Sequence, residues 1–75
     1  GYGVLVASGT SNNLVTGNTL RLNGAYPSAR PVGVGVQIDA GVDNYVVSGN
    51  LLTDNSTGGV VDNGGANKVV ADNLG

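Results

Sequence analysis

One phrase recurs three times in this chain: Asn12-Asn-Leu-Val-Thr-Gly-Asn18, Asn44-Tyr-Val-Val-Ser-Gly-Asn50 and Asn67-Lys-Val-Val-Ala-Asp-Asn73. A regular internal repeat constrains architecture more than any single residue does, because each unit must bury itself on its neighbours. From Gly35 onward the spacing is 23: 67 − 44 for the first asparagines and 73 − 50 for the last. Gly41 and Gly64, and Asp39 and Asp62, keep that offset. The first unit precedes the second by 44 − 12 = 32 positions, so 32 − 23 = 9 extra residues fall between Asn23 and Gly33.

Each unit holds three short apolar runs parted by Gly and Asn. The first runs are Val4–Val6, Val36–Ile38 and Val60–Val61. The second are Leu14–Val15, Tyr45–Val47 and Val69–Val70. The third are Leu20–Leu22, Leu51–Leu52 and Leu74. Short β-branched runs bounded by turn residues predict strands, and the constant interruption by Gly and Asn excludes a long helix.

Three strands in 23 residues predict one coil of a parallel β-helix, with equivalent residues stacked roughly 4.8 Å apart. The expected fold is all-β: a right-handed, single-stranded parallel β-helix, a solenoid of about three coils. Coil 1 covers 3–23, an inserted loop 24–33, coil 2 35–57 and a partial coil 3 58–75. On this reading Asn18, Asn50 and Asn73 form an asparagine ladder at one corner. Asn12, Asn44 and Asn67 form a second structural column, and Gly9, Gly41 and Gly64 a glycine corner with positive φ.

The phrases Gly17-Asn-Thr-Leu20 and Ser48-Gly-Asn-Leu-Leu52 resemble the repeats of right-handed parallel β-helix proteins of the pectate-lyase-like superfamily. That resemblance spans nearly the whole chain. It implies polysaccharide lyases, hydrolases or epimerases, or phage tailspikes, as the setting. By the same resemblance, the chain is expected outside the cell or on a virion tail.

Seventy-five residues make one small domain. No capping element is visible at either end, and the chain reads as a piece of a longer protein. The interior is drawn from Val, Leu and Ile, with no Phe, Trp, Met or Cys and only three Tyr. Without cysteines no disulfide can staple so small a core, which leaves the rest of a parent chain or an oligomer. The second strand is apolar in both alternating columns, Leu14/Val46/Val69 and Val15/Val47/Val70. One column fills the core. The other either contacts another subunit, a trimer by analogy with tailspikes, or is ordinary exposed Val. Tyr45 and Lys68 share a column expected to face solvent or a partner chain.

With net charge −2 and three basic residues, the chain is a poor partner for nucleic acid. No apolar run of about 18 residues is present to span a membrane as a helix. The absence of His, Cys and Glu removes zinc sites and Ser-His-Asp triads from these residues.

What remains for chemistry is sparse. Asp39 and Asp62 would share a column on adjacent coils. Such close carboxylates suit a catalytic acid/base or nucleophile pair in a glycan-cleaving enzyme. They could also hold a Ca²⁺, though no cofactor is otherwise implied. The plainer reading makes them solvated strand-end residues or turn formers. In the inserted loop Tyr26 could stack on a sugar and Arg30 could pair with a uronate or sialate, against the plainer reading of a surface connection. Asp43, Asp54 and Asp72 read as turn formers, and Asn55-Ser-Thr57 is a glycosylation sequon. Two functions follow: a structural and assembly segment of a tailspike-like or secreted polysaccharide-binding or polysaccharide-degrading protein, or part of a glycan-cleaving groove.

Overall fold

A computed structural model describes residues 2–21 and 33–75. These residues are all-β: β1 (Tyr2–Val6), β2 (Ser11–Thr16), β3 (Val34–Ile38), β4 (Asp43–Ser48), β5 (Gly58–Asp62) and β6 (Lys68–Ala71). Alternate strands pair in parallel, β1-β3-β5 in one sheet and β2-β4-β6 in the other. A shorter parallel strip joins Thr19 to Leu51 and Leu51 to Leu74. Thus each strand meets its equivalent in the next repeat rather than its neighbour in sequence. Tight hairpins cannot make that pattern, since parallel strands need crossover connections.

Alternation decides which side chains go inside. Val34, Val36 and Ile38 of β3 and Tyr45 and Val47 of β4 are buried, and all of these but Val34 form one core with Val6, Val15, Val42 and Leu52. Fully burying a Val or Ile contributes about 1.5–3 kcal/mol before chain entropy is counted. In the second sheet the Val15 and Val47 column faces in. Leu14 (71 % exposed) and Val69 face out. Tyr45 also faces in, at 2 % exposure, contrary to the expectation that its column meets solvent or a partner. Its register places it two residues before Val47, on the same side of the strand.

The register is not uniform. From the first layer to the second the offset is 32 in both sheets, as in Tyr2 with Val34 and Leu14 with Val46. From the second to the third it is 24 in the first sheet (Val36 with Val60) but 23 in the second (Tyr45 with Lys68). The bend after β5 is therefore one residue shorter than the bend after β3. Ile38 lies opposite Asp62, and the Gly65 amide donates to the Val42 carbonyl. Between those two links run residues 39–41 in one layer and 63–64 in the next.

Left-handed backbone recurs where the repeat needs it. Gly17 and Gly49 have φ of 67° and 66°, and Asp72 takes the same place with φ 57°. Asp tolerates this region because its short polar side chain can bond locally. Asn12 and Asn44, at φ 59° and 54°, kink β2 and β4 at the same point, so the strands stay in step.

Candidate functional site

The most connected polar group is the corner that follows β2, β4 and β6. Asn18 donates from its backbone amide and its Nδ2 to Asn50 Oδ1, at 3.0 Å each. Asn50 repeats the pattern onto Asn73 Oδ1, at 3.2 and 2.8 Å. The second hydrogen of each lower amide goes back to a strand carbonyl, Asn50 to Val15 and Asn73 to Val47, at 3.0 Å. Asn50 is 2 % exposed and fully bonded. A buried amide in this position locks three layers together and has no valence left for a ligand.

The other asparagine column behaves differently. Asn12 and Asn44 supply left-handed backbone and their amides are not bonded to one another. Asn67 turns instead to Asp43, whose carboxylate accepts from the Asn67 amide and from its Nδ2, both at 2.9 Å. Those bonds hold the Asp43 carboxyl below the ordinary carboxylate range. Asp43 is a clamp between layers as well as the start of β4.

Asp39 and Asp62 do not share a register position. Asp62 lies opposite Ile38, at the end of the inward column Val6–Ile38–Asp62, because the bend that follows is one residue short. Its carboxylate accepts from the Tyr45 hydroxyl and the Gly64 amide, and it pairs with Lys68 Nζ at 2.7 Å. Burial works against its charge, but the bonds from Lys68, Tyr45 and Gly64 outweigh that and lower its pKa. Burial raises the Tyr45 phenol, and the Asp62 carboxylate raises it further. Asp62 raises the Lys68 ammonium. Asp39 contributes its backbone, donating to Val6 and accepting from Val42, and its carboxylate has no bonded partner among the described residues.

Gly64 belongs to this cluster rather than to a glycine corner. Gly9 and Gly41 have φ of 85° and 88°, as a left-handed turn requires. Gly64 does not share that conformation. It is glycine because a Cβ there would run into the Tyr45 ring and hydroxyl. Sequence spacing aligned Gly41 with Gly64 and missed the reason. The available signal was Tyr45 itself, the one aromatic ring in its column, between Asn13 and Lys68.

Tyr26 and Arg30 lie outside the described residues. The sequon is engaged in the fold: Asn55 Nδ2 donates to the Leu20 and Leu52 carbonyls at 2.8 Å, and Thr57 Oγ1 accepts from the Gly33 amide at 3.0 Å. A glycan on that nitrogen would displace those bonds. Among the described residues no group of three or more acidic, His or Cys side chains could hold a metal ion. Among them, too, no helix is long and apolar enough to cross a membrane. No protein-family model, curated protein or solved structure matches this chain.

Proposed function

We propose that this chain is a right-handed, single-stranded parallel β-helix segment serving structure and assembly. Its setting is a tailspike-like or secreted protein, outside the cell or on a virion, that binds or degrades polysaccharide. The observation that carries the structural role is the Asn18–Asn50–Asn73 ladder. Its middle residue, Asn50, spends both amide hydrogens and its Oδ1 on bonds from layer to layer and keeps none for a substrate. Three sets of parallel pairings on the same three layers support the winding. The carbohydrate setting rests on the resemblance of the repeat phrases alone.

The reading gives Asp39 and Asp62 no catalytic role, because Asp62 is held by Tyr45 and Lys68 and Asp39 is off its register. The outward column Leu14, Val46 and Val69 is the side face that meets partner chains, in a trimer. Sedimentation equilibrium tests this directly. The chain sediments as three copies of 7.3 kDa, and Leu14→Lys with Val69→Lys returns it to one. A wild type that stays single at every concentration overturns the assembly role. Cleavage of an acidic polysaccharide lost in Asp39→Asn or Asp62→Asn would replace the structural reading with the enzymatic one.

A further inference from the structure

The chain contains two Asn-Gly steps, Asn23-Gly24 and Asn63-Gly64. Such a step is readily deamidated, because glycine has no Cβ to keep its nitrogen away from the preceding side chain. The glycine nitrogen gives up its proton and bonds the asparagine Cγ. The Cγ–Nδ2 bond breaks, and ammonia leaves. One water then opens the cyclic imide that results. Cleavage at Cγ gives aspartate. Cleavage at the main-chain carbonyl gives isoaspartate, in which the backbone runs through Cβ and Cγ. Water is the only co-reactant.

Asn23-Gly24 lies outside the described residues. Asn63-Gly64 is the shortened bend after β5. Asn63 is exposed, and its side-chain amide bonds nothing among the described residues. That exposure belongs to the bend and not to the layer. In the middle layer, which has a neighbour on each face, Ala40 and Gly41 of the equivalent bend are exposed too. The electrophile is therefore open to water. The nucleophile is not. The Gly64 N–H donates to Asp62 Oδ1 at 3.0 Å. That carboxylate is fixed in turn by Lys68 Nζ at 2.7 Å and by the Tyr45 hydroxyl. The Tyr45 ring fills the place a Gly64 Cβ would take. Both ends of the bend are pinned, Asn63 by its amide to the Ile38 carbonyl at 3.0 Å and Gly65 by its amide to the Val42 carbonyl at 2.8 Å.

We infer that Asn63 is a deamidation site held in check by Asp62. The attacking nitrogen has to lose its proton and turn toward Cγ. A proton shared with a carboxylate is harder to lose, since the anion left behind faces a like charge. Turning the nitrogen breaks its bond to Asp62, and with both ends pinned that requires the bend to open locally. The change is lasting once made. The product carboxylate stands beside Asp62, and isoaspartate lengthens the backbone of a bend whose ends are fixed to the layer before it.

Peptide mapping by mass spectrometry, after incubation at mildly alkaline pH, follows both steps, with Asn23-Gly24 as the reference within the same chain. In urea, where the fold is lost, Asn63 and Asn23 react alike. In the folded wild type Asn63 is slower than in urea by roughly tenfold or more, as release of a hydrogen bond to a charged acceptor requires. Asp62→Val continues the Val6–Ile38 column with an apolar residue, removes the acceptor and restores most of the rate. Asp62→Asn, a smaller change, keeps an uncharged acceptor and accelerates Asn63 less. Asn73→Ala weakens the fold at the other corner without touching Gly64, and its Asn63 rate stays near that of the wild type. Circular dichroism establishes that each variant is folded. A folded wild type in which Asn63 reacts as fast as in urea overturns the proposal, whether or not Asp62→Val folds. So does a folded Asp62→Val or Asp62→Asn as slow as the wild type. An Asn73→Ala that accelerates Asn63 as much as the Asp62 variants do also overturns it, because folding in general, and not the Asp62 bond, would then protect the step.

Discussion

The two bends of each layer use the repeat in opposite ways. At the bend after the second sheet, Asn18, Asn50 and Asn73 are one residue doing one task three times. At the bend after the first sheet, Asp39 and Asp62, and Gly41 and Gly64, share a spacing but not a task. The difference is a single residue missing between Asp62 and Gly65. Where the corner is bonded layer to layer through both its Asn and the Leu that follows, the spacing holds. Where the bend is bonded only at its ends, it can shorten, and the residues are then free to take new partners.

The largest expected effect comes from breaking the faithful corner. Asn50→Ala removes the acceptor for Asn18, the donor to Asn73 and the donor to the buried Val15 carbonyl. Each buried group left unmet costs about 1–3 kcal/mol, so the variant loses about 3 kcal/mol or more. Urea denaturation measures it. Asn73→Ala, at the edge where water reaches, loses less. Equal losses at both positions would mean that burial is not what makes the ladder strong.

Next come the two glycines that spacing treats as equivalent. Gly64→Ala drives a methyl into the Tyr45 ring and costs about 2 kcal/mol, as overpacking does. Gly9→Ala meets nothing within 4 Å and suffers only its backbone, at about 1 kcal/mol. A double-mutant cycle sharpens the contrast. Tyr45→Val opens the space, so Gly64→Ala becomes nearly neutral in that background, while Gly9→Ala costs the same in both. Coupling of Tyr45 to Gly9 instead would overturn the assignment.

Those residues also show how far the fold can be read from sequence. The strands, their parallel pairing and the inward Val columns follow from the triplicated phrase, since a 32-residue and then a near-constant offset leave hairpins no role. The third-layer register does not follow. Asp39, Gly41, Asp62 and Gly64 fit a shift of 23 as strings, and only backbone pairing exposes the shift of 24 at Ile38 and Asp62. Tyr45 was misplaced for a related reason. A hydroxyl beside Lys68 suggests solvent, whereas the ring fills the core and its oxygen reaches across to Asp62 in the other sheet. Long-range polar partners of this kind leave no periodic trace.

A smaller effect separates the two aspartates. Asp62→Asn removes the charge that Lys68 and Tyr45 share and costs about 1–2 kcal/mol, the range for a hydrogen bond to a charged group at a partly exposed site. Asp39→Asn touches no side-chain partner among the described residues and stays within about 0.5 kcal/mol, as surface changes do. Thermal melts of the pair test whether the shortened bend has divided their roles. Matching shifts would restore them to one column.

The smallest effect is the pH dependence of the same contrast. Asp62 and Asp43 titrate below the ordinary aspartate value of about 4, because the folded chain bonds their charged forms. A depressed pKa stabilises the fold above the unfolded value, and that contribution is lost as pH falls through the folded one. Stability therefore declines below about pH 4. Lys68 and Tyr45 titrate above their ordinary values near 10, so their contribution is complete below that pH and lost as it rises through the folded values. With no histidine in the chain, the plateau between is flat. In Asp62→Asn the acid limb shrinks while Asp43 keeps its share, and the Lys68 share of the alkaline limb shrinks with the loss of its partner charge. The Tyr45 share persists in part, since burial alone raises the phenol. Asn50→Ala lowers the whole plateau and leaves both limbs in place, because the asparagine corner holds no proton to lose. Denaturation midpoints from pH 3 to 11 thus tell the two corners apart by shape as well as by size. An acid limb unchanged in Asp62→Asn would show that its carboxylate is not what fastens the shortened bend.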